Sequence, residues 1–233
     1  MSDESKIGSI QDQEYFLRGQ KLTDLMKGGD WTGAIALTLI GRPLREEERA
    51  LFSACLIASI DHGMAPPSAQ VTRTIASCGK PLADSVAGGL LTLGPRHGNA
   101  CSAASIWLRE QVQEGADIEQ SIKSFLETGK RLPGFGHAEY ERDPRAVLLL
   151  EMAQTHLAVH PHTDIALAVG DELTKQKGKP LYVNIDGAIG AILADLEWPS
   201  ELADALFLIA RTVGLSAHAM EESATAKTYR RKE

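Results

Sequence analysis

Two polar side chains near the middle of the chain stand where they could converge on an anion. The stretch GFGHAEYERDPRA, residues 134–146, sets His137 after two glycines and Arg145 after an Asp-Pro step. Asp143 is a good N-cap and Pro144 suits the first helical position, so a helix is predicted to begin here with Arg145 in its first turn. A cation there opposes the positive end of the helix dipole, which indicates a negative group nearby. A turn histidine beside a surface arginine is the alternative interpretation.

Two further histidines lie at the ends of apolar segments. His97 occurs in GPRHGNA, a loop bracketed by glycines like the loop of His137. His62 follows a strongly apolar helical segment in ASIDHGMAPP. A histidine at a helix C-terminus can simply complement the dipole, and for His62 that interpretation stays open beside a functional one.

A carboxylate and a guanidinium interrupt otherwise apolar sequence. Asp186 in YVNIDGAIGAIL either caps the following helix or acts as a base with a raised pKa, and both can hold together. Arg211 in LFLIARTVGLSAH lies among large apolar residues, where an unpaired charge is costly. We therefore expect an anionic partner for Arg211, with a snorkelling arginine at the rim as the alternative.

A metal site is a weaker hypothesis. His156 and His160 are four residues apart and, on one helix, could bind a metal together, with His162 nearby. No acidic or cysteine ligand joins them at a recognisable spacing, so we expect no metal. The chain also lacks a Walker-type loop and a dinucleotide-binding fingerprint.

Most of the chain repeats apolar residues at helical spacing, and most of these segments start at Asp, Ser or Pro or end at Gly. The first segment, YFLRGQKLTDLMK at 15–27, is predicted to be a helix. PLYVNID at 180–186 is the single predicted strand. We therefore predict an all-α protein with short connections.

The composition narrows the class of partner. The net charge is −7, 43% of the residues are hydrophobic, and there is no long basic block, so nucleic acid is an unexpected partner. The three cysteines are odd in number and follow no paired spacing, which predicts reduced thiols in the cytoplasm. Uninterrupted apolar runs are short and the N-terminus is acidic, so we expect neither a membrane span nor a signal peptide.

Two glycine-rich crossings, GPRHGNA and VNIDGAIG, flank the stretch that carries His137. They predict a cleft between a discontinuous large helical domain, residues 1–98 and 201–233, and an inserted small helical domain, residues 99–200.

The order of these blocks resembles the citrate synthase superfamily. The resemblance runs from about Tyr15 to Arg230 and rests on DHGMAPPSA, GLLTLGPRHGNA, LPGFGHAEYERDPRA, VNIDGAIGA and IARTVGLSAHAMEE, with YFLRGQKLTDLM before them. DHG, GLLTLG and VNIDGAIG are most similar to the citryl-CoA lyase module of ATP-citrate lyase. The resemblance implies a citrate synthase-like fold that closes over an acyl-CoA and a dicarboxylate.

The resemblance also implies a role for each candidate residue. Asp186 would exchange a proton with the acetyl carbon, His97 would hydrogen-bond the thioester oxygen, and His137 would exchange a proton with the keto or tertiary hydroxyl oxygen. The carboxylate-binding residues would be His62, Arg145 and Arg211, with Arg230 as the arginine that relatives supply across a dimer interface.

The implied function is that of a citryl-CoA lyase that yields acetyl-CoA and oxaloacetate without a permanently bound cofactor. It implies a homodimer or higher homo-oligomer, in the cytoplasm predicted above from the composition, with a separate citryl-CoA synthetase as a candidate partner. A histidine at position 97 is typical of citrate synthases rather than of ATP-citrate lyase, so a synthase-type condensation of an acyl-CoA with oxaloacetate or a related keto acid is the alternative. A non-catalytic subunit of a citrate-cleaving complex is the second alternative, and the retained Asp186, His97 and His137 speak against it.

Overall fold

A computed structural model describes residues 5–94, 97–98, 100–115 and 117–225. The chain divides into two compact units, residues 1–53 and 54–233, and helix α3 contributes to both. The predicted large domain (1–98 and 201–233) and small domain (99–200) stay a prediction, because this division of the chain does not test them.

The first unit opens with a small antiparallel sheet of order β1-β2-β3, formed by Gly8–Gln11, Glu14–Leu17 and Gln20–Lys21. The predicted helix over 15–27 is therefore wrong in its first half, since helix α1 spans only Leu22–Gly28. Residues 12–13 and 18–19 all have positive φ, the conformation of two-residue hairpin turns, and these turns reverse the chain before a helix can form. In so short a segment, apolar spacing does not separate a hairpin from a helix.

Helix α2, Trp31–Ile40, and the start of α3, Glu46–Ser59, complete the first unit. The Glu48 carboxylate is fully buried and accepts hydrogen bonds from Arg42 at 2.7 and 2.8 Å and from Arg45 at 2.7 and 3.0 Å. Burial alone would raise the pKa of Glu48, but these hydrogen bonds prevail and lower it to about 2.

The second unit is helical throughout its described regular structure, which confirms the predicted helical class. Its complete helices are α4 (Pro67–Ser77), α5 (Leu82–Leu90), α6 (Ala100–Glu114), α7 (Ile118–Glu127), α8 (Pro144–His156), α9 (Pro161–Lys177), α10 (Ile185–Asp195) and α11 (Glu201–Thr225). Helix α10 packs against α6, α8 and α9, and its residues 187–194 are all buried. It is the central helix of this unit, which explains why it carries no amphipathic pattern.

The predicted strand PLYVNID does not form. Val183 makes only an isolated bridge to Phe135, and α10 begins at Ile185 inside the predicted segment. Asn184 is the N-cap of α10, so the capping role considered for Asp186 belongs to its neighbour two residues earlier.

Helix α11 is long and apolar enough, by length and composition, to cross a membrane, and half of its most apolar window is buried inside the protein. It packs against α4, α5 and α6 and carries the buried charged residues Arg211 and Glu222. These contacts are those of a core helix in the second unit.

Candidate functional site

One pocket of about 430 Å³ in the second unit brings together the candidate residues that the structure describes. Its lining contains His62, His97, His137, Arg145, Asp186 and Arg211. Arg230 lies outside the described residues. These six side chains come from α8, α10, α11 and three loops, so only the folded chain places them together.

The floor of the pocket is the N-terminus of α10. The Asn184 side chain accepts hydrogen bonds from the backbone N–H groups of Asp186 (3.0 Å) and Gly187 (3.2 Å). Its Nδ2 donates to the carbonyl of Gly136 at 2.8 Å, and its backbone N–H donates to the carbonyl of Gly134 at 3.0 Å. Asn184 thus fixes the loop that carries His137 against the helix that carries Asp186.

Glycines allow this close approach. Gly134 has a φ of +86°, and a Cβ at this position would lie 2.6 Å from the Cα of Gly187. A Cβ on Gly190 would lie 2.8 Å from both the carbonyl oxygen of Cys101 and the backbone nitrogen of Ser105. The glycine loop and α6 can therefore both contact the backbone of α10.

The Asp186 carboxylate lies in the first turn of α10. Burial raises the pKa of this carboxyl above its ordinary value, and the thiol of Cys101, which donates to Oδ1 at 3.1 Å, opposes that rise. A carboxyl with a raised pKa that lines a pocket is a candidate general acid or base.

The His97 ring is oriented by Ser68. Its Nε2 lies 2.9 Å from the Oγ of Ser68, a fully buried side chain, which leaves Nδ1 as the ring nitrogen that can meet a ligand. Burial, and then the charge of Arg211, lower the pKa of His97. The ring is therefore held in its neutral form, which can donate a hydrogen bond without carrying a charge.

The His137 ring is held by its own loop. Its Nδ1 accepts hydrogen bonds from the backbone N–H groups of Glu139 (3.0 Å) and Tyr140 (3.2 Å), so the ring proton resides on Nε2. His62 meets His137 edge to face, with ring centroids 5.3 Å apart. Burial and the neighbouring charge of Arg145 lower the pKa of His62, which indicates a neutral ring there too.

The sequence predicted a negative group beside Arg145, and the carboxylate of Asp143 is such a group. The Asp143 carboxylate is 1% exposed and accepts from the Nε and Nη2 of Arg145 at 3.0 and 2.8 Å. It also accepts from the backbone N–H of Arg145, as the N-cap of α8. The predicted cap is thus confirmed, and it orients the guanidinium on the wall of the pocket.

Arg211 has no such internal partner. Its side chain is 3% exposed, Nε donates to the carbonyl of Ser59 at 3.3 Å, and Nη1 is buried without a hydrogen-bond partner. No ion pair to Arg211 occurs within the described part of the chain. Burial lowers the pKa of Arg211, because the charged form loses hydration in the protein interior.

A second cavity, of about 560 Å³, adjoins the pocket and shares Gly136, His137 and Ala138 with it. We call it the basic groove. Its lining combines an apolar floor with four cationic side chains, Lys130, Arg131, Lys177 and Lys179.

The structure does not support a metal site at His156 and His160, which the sequence allowed on one helix. Helix α8 ends at His156, and His160 is the N-cap of α9, so the two histidines do not share a helix. His160 pairs with Asp164 at 3.1 Å, and His162 pairs with Asp195 at 2.9 Å. Among residues 5–94, 97–98, 100–115 and 117–225, no group of three His, Cys, Asp or Glu side chains could hold a metal ion.

The sequence did not point to the residues that orient the candidate groups. Ser68, Cys101 and Asn184 are small, common polar residues without a periodic signature. The Asn-x-Asp-Gly sequence at 184–187 is a helix-start signal that could have identified Asn184. Nothing in the sequence pairs Ser68 with His97 or Cys101 with Asp186, because these contacts cross between elements.

Known proteins resemble the chain along nearly all of its length. A sequence model of the family "Citrate synthase, C-terminal domain" matches residues 4–232. A probable ATP-citrate synthase of Dictyostelium discoideum is 33% identical over 81% of this chain, and the Homo sapiens ATP-citrate synthase is 27% identical over 90% of it. The chain spans only 33% and 21% of the lengths of these two relatives.

Solved structures agree in fold. The citryl-CoA lyase of Hydrogenobacter thermophilus superposes with a TM-score of 0.91 at 36% identity, covering 100% of this chain and 91% of that one. An ATP citrate lyase of Methanothrix soehngenii, solved with citrate and coenzyme A, gives a TM-score of 0.91 at 27% identity over 100% of this chain and 41% of its own. The citrate synthase of Thermotoga maritima gives 0.72 at 29% identity, over 87% and 56%. With a family match over almost every residue and this fold, the chain belongs to the citrate synthase family.

Proposed function

We propose that this chain is a citryl-CoA lyase, which cleaves citryl-CoA to acetyl-CoA and oxaloacetate. The observation that carries the proposal is the convergence of two buried groups in one pocket, the unpaired guanidinium of Arg211 and the carboxyl of Asp186. A buried cation without an internal anionic partner favours an anionic ligand, and a guanidinium binds carboxylates through two hydrogen bonds. Arg145 and His62 extend this surface for a substrate with several carboxylates.

Asp186 supplies the proton for the acetyl half. When the bond between the CH₂ carbon and the hydroxyl-bearing carbon of citryl-CoA breaks, its electron pair passes into the thioester enolate. Protonated Asp186 then gives its proton to the CH₂ carbon, which becomes the methyl group of acetyl-CoA. The raised pKa of Asp186 increases the fraction of the carboxyl that carries this proton.

His97 and His137 each contact one of the two substrate oxygens whose charge changes in the reaction, the thioester oxygen and the tertiary oxygen. His97, held through Nε2 by Ser68, presents Nδ1 to the thioester oxygen, where a hydrogen bond stabilises the enolate. Nε2 of His137 faces the tertiary oxygen: in condensation its N–H gives a proton to the keto oxygen and leaves the ring as an imidazolate, and in cleavage, the reverse step, the imidazolate takes the hydroxyl proton back at Nε2. The two backbone N–H groups at Nδ1 stabilise negative charge on this ring while the proton is away.

The basic groove suits the coenzyme A portion of the substrate. Its lysines and arginine match a chain of phosphates, and its apolar floor matches the pantetheine and adenine portions. Because the groove shares His137 with the pocket, a thioester that follows the groove would enter the pocket beside the candidate reactive groups. Two ATP citrate lyases that resemble this chain were solved with coenzyme A and with (3S)-citryl-CoA, which supports a coenzyme A thioester as the class of substrate.

A condensation that also hydrolyses the thioester is the second candidate function. It is favoured by His97, which lines the pocket, and by the similarity to citrate synthases. A non-catalytic subunit is disfavoured because such a subunit has no need for a buried, unpaired Arg211. We also propose, from the resemblance, a homodimer or higher homo-oligomer in which Arg230 serves the partner's site, acting beside a separate citryl-CoA synthetase. The odd number of cysteines without paired spacing supports a cytoplasmic location for it.

The deciding experiment supplies citryl-CoA to the purified protein and follows oxaloacetate by its coupled reduction to malate. A parallel mixture of acetyl-CoA and oxaloacetate is assayed for free CoA thiol. Oxaloacetate from the first mixture with little thiol from the second supports the lyase. Thiol release in the second mixture supports the condensing alternative, and inactivity in both contradicts the two functions.

Paired variants assign the activity to the pocket. Asp186→Asn is expected to lower turnover at least about a hundredfold, as the loss of a general acid does. The matched change Asp164→Asn, at an exposed carboxylate that lines neither cavity, should leave turnover within about twofold of the wild type, since surface changes away from a site have small effects. Equal turnover in the two variants would contradict the role of Asp186.

A further inference from the structure

One contact of Asp186 has no part in the steps above. Cys101, in the first turn of α6, is 0% exposed, and its thiol donates to Oδ1 of Asp186 at 3.1 Å. Within the described part of the chain, the Asp186 carboxylate accepts this one hydrogen bond at Oδ1 and none at Oδ2. The two oxygens of Asp186 therefore differ, although both belong to one group that lines the pocket.

The packing of two helices creates this contact. Gly190 lies one turn after Asp186 on the same face of α10, and a Cβ there would lie 2.8 Å from the carbonyl oxygen of Cys101. Because Gly190 has no side chain, α6 contacts α10 at backbone distance, and the short Cys101 side chain reaches the carboxylate. The contact is thus fixed by the central helix pair of the second unit, not by a mobile surface group.

A thiol at this place is a donor that keeps its proton. Burial, and then the charge of Asp186, raise the pKa of Cys101 well above its ordinary value. The thiol therefore cannot compete with Asp186 as an acid, and it has no other acceptor among the described residues. Its remaining function is to hold one oxygen of the carboxylate.

We propose that Cys101 is a positioning residue for Asp186: its thiol holds Oδ1 and leaves Oδ2 as the oxygen that exchanges a proton with the substrate carbon. This inference rests on the proposed function. During cleavage the proton on Oδ2 passes to the CH₂ carbon of the enolate, and the thiol proton stays on sulfur throughout. No oxidant, reductant or further reactant takes part.

Three variants separate this role from packing. Cys101→Val keeps an apolar side chain of similar volume but removes the donor, and Cys101→Ser keeps a donor. Cys55→Val is the matched control, because Cys55 is the other buried cysteine of the second unit, with a pKa raised by burial to about 12 and no hydrogen bond to Asp186. Cys101→Ala serves as the donor-free variant if the valine does not fit.

The first readout is the pH at which Asp186 protonates, measured by infrared difference spectroscopy between each protein and the same protein carrying Asp186→Asn. Removing a donor from the carboxylate favours its protonated form, so Cys101→Val should raise this pH by about half a unit. Cys101→Ser and Cys55→Val should leave it at or below the wild-type value. An unchanged titration in Cys101→Val, or equal shifts in the valine and serine variants, would overturn the proposal.

The second readout is the kinetics of citryl-CoA cleavage. Cys101→Val should lower kcat about ten- to a hundredfold with little change in KM, because a misplaced group costs turnover and not binding. Cys101→Ser should recover most of the loss. The infrared titration needs no turnover, so an inactive wild-type protein would contradict the proposed function while the titration still tests the contact. A shifted titration with unchanged kcat would refute positioning in catalysis.

Discussion

Arg211 brings a full charge into the second unit and leaves part of its guanidinium without a partner in the described chain. Such a group lowers the stability of the free protein, and an anionic ligand that pairs with it on binding stabilises the folded state. Arg145 illustrates the opposite arrangement, since Asp143 already neutralises it. The two arginines therefore have different tasks: Arg145 is held ready on the pocket wall, whereas Arg211 depends on the substrate for its counter-ion.

Replacing Arg211 by methionine should stabilise the free protein and abolish its response to citrate. We expect the free energy of unfolding to rise by about 1 to 4 kcal/mol, the range seen when buried ionic groups become well-packed apolar ones. Thermal unfolding with and without citrate measures both effects. Citrate should raise the Tm of the wild type and leave that of Arg211→Met unchanged.

Arg73→Met is the matched control, because Arg73 is a buried arginine that is paired. Its Nη2 lies 2.8 Å from the Oε2 of Glu222, which is itself buried. Arg73→Met removes the guanidinium from this buried ion pair and from Glu221, so it should destabilise the protein by about 3 to 5 kcal/mol. Equal loss of stability in Arg73→Met and Arg211→Met would show that Arg211, like Arg73, is stabilised by an anionic partner within the protein.

At the scale of elements, glycines decide how closely α6 and the His137 loop approach α10. Gly190→Ala places a Cβ 2.8 Å from two backbone atoms of α6, so the helices must separate. We expect a loss of about 1 to 3 kcal/mol, the usual cost of overpacking, and a larger relative loss of turnover because Asp186 moves with α10. Chemical denaturation and the cleavage assay measure the two losses.

Gly28→Ala is the control for this substitution. Gly28 is the last residue of α1, and a Cβ there would meet nothing within 4 Å. The change should be neutral or stabilising by up to about 1 kcal/mol, since alanine favours the helix over glycine. If Gly190→Ala behaved like Gly28→Ala, the close helix contact would not be required.

In the first unit, the buried carboxyl of Glu48 makes the stability of the folded protein depend on pH. Glu48 has a pKa of about 2 in the folded protein, against an ordinary value of 4.5. A depressed carboxyl pKa stabilises the folded state above pH 4.5, and that contribution is lost as the pH falls towards 2.

Glu48→Gln should therefore destabilise the protein at neutral pH by about 1.5 to 3 kcal/mol, the range for hydrogen bonds to charged groups. The difference from the wild type should shrink steadily between pH 4.5 and pH 2. Denaturant unfolding at a series of pH values measures it. A difference that stays constant with pH would assign the loss to packing instead of charge.

At the scale of the whole molecule, a net charge of −7 contrasts with the locally cationic basic groove. An acidic protein would repel a polyanionic substrate at long range, so attraction must come from a few lysines close to the bound position. The field of the whole chain and the chemistry of the groove therefore act in opposite directions, and added salt should weaken substrate binding.

Lys177→Ala combined with Lys179→Ala should raise the KM for citryl-CoA about tenfold and leave the stabilisation by citrate unchanged. Lys175→Ala is the control, because Lys175 lies about half a turn before Lys177 on α9, pairs with Glu172 at 3.0 Å and does not line the groove. Steady-state kinetics at two salt concentrations measures the effect. Equal KM values for the double variant and the control would place the coenzyme A portion elsewhere.

The sequence by itself determined the helical class, most of the helices and the identity of the candidate reactive residues. Caps such as Asp143 with Pro144 are local, and a histidine, a carboxylate or an arginine in apolar sequence is visible without a fold. The same reasoning failed for the two hairpins at 8–21, where turn geometry prevails over apolar spacing. It failed again for α10, whose burial on all sides removes the periodic pattern.

Only the tertiary structure decided which groups meet. Ser68 at His97, Cys101 at Asp186 and Asn184 at the His137 loop are contacts between elements that lie far apart in sequence. The structure also showed that Asp143 satisfies Arg145, while the Nη1 of Arg211 finds no partner among the described residues. Residue types specify what a side chain can do, but distance, burial and the remaining partners fix its charge and its direction, and these follow from the packing of helices around the glycines of α10.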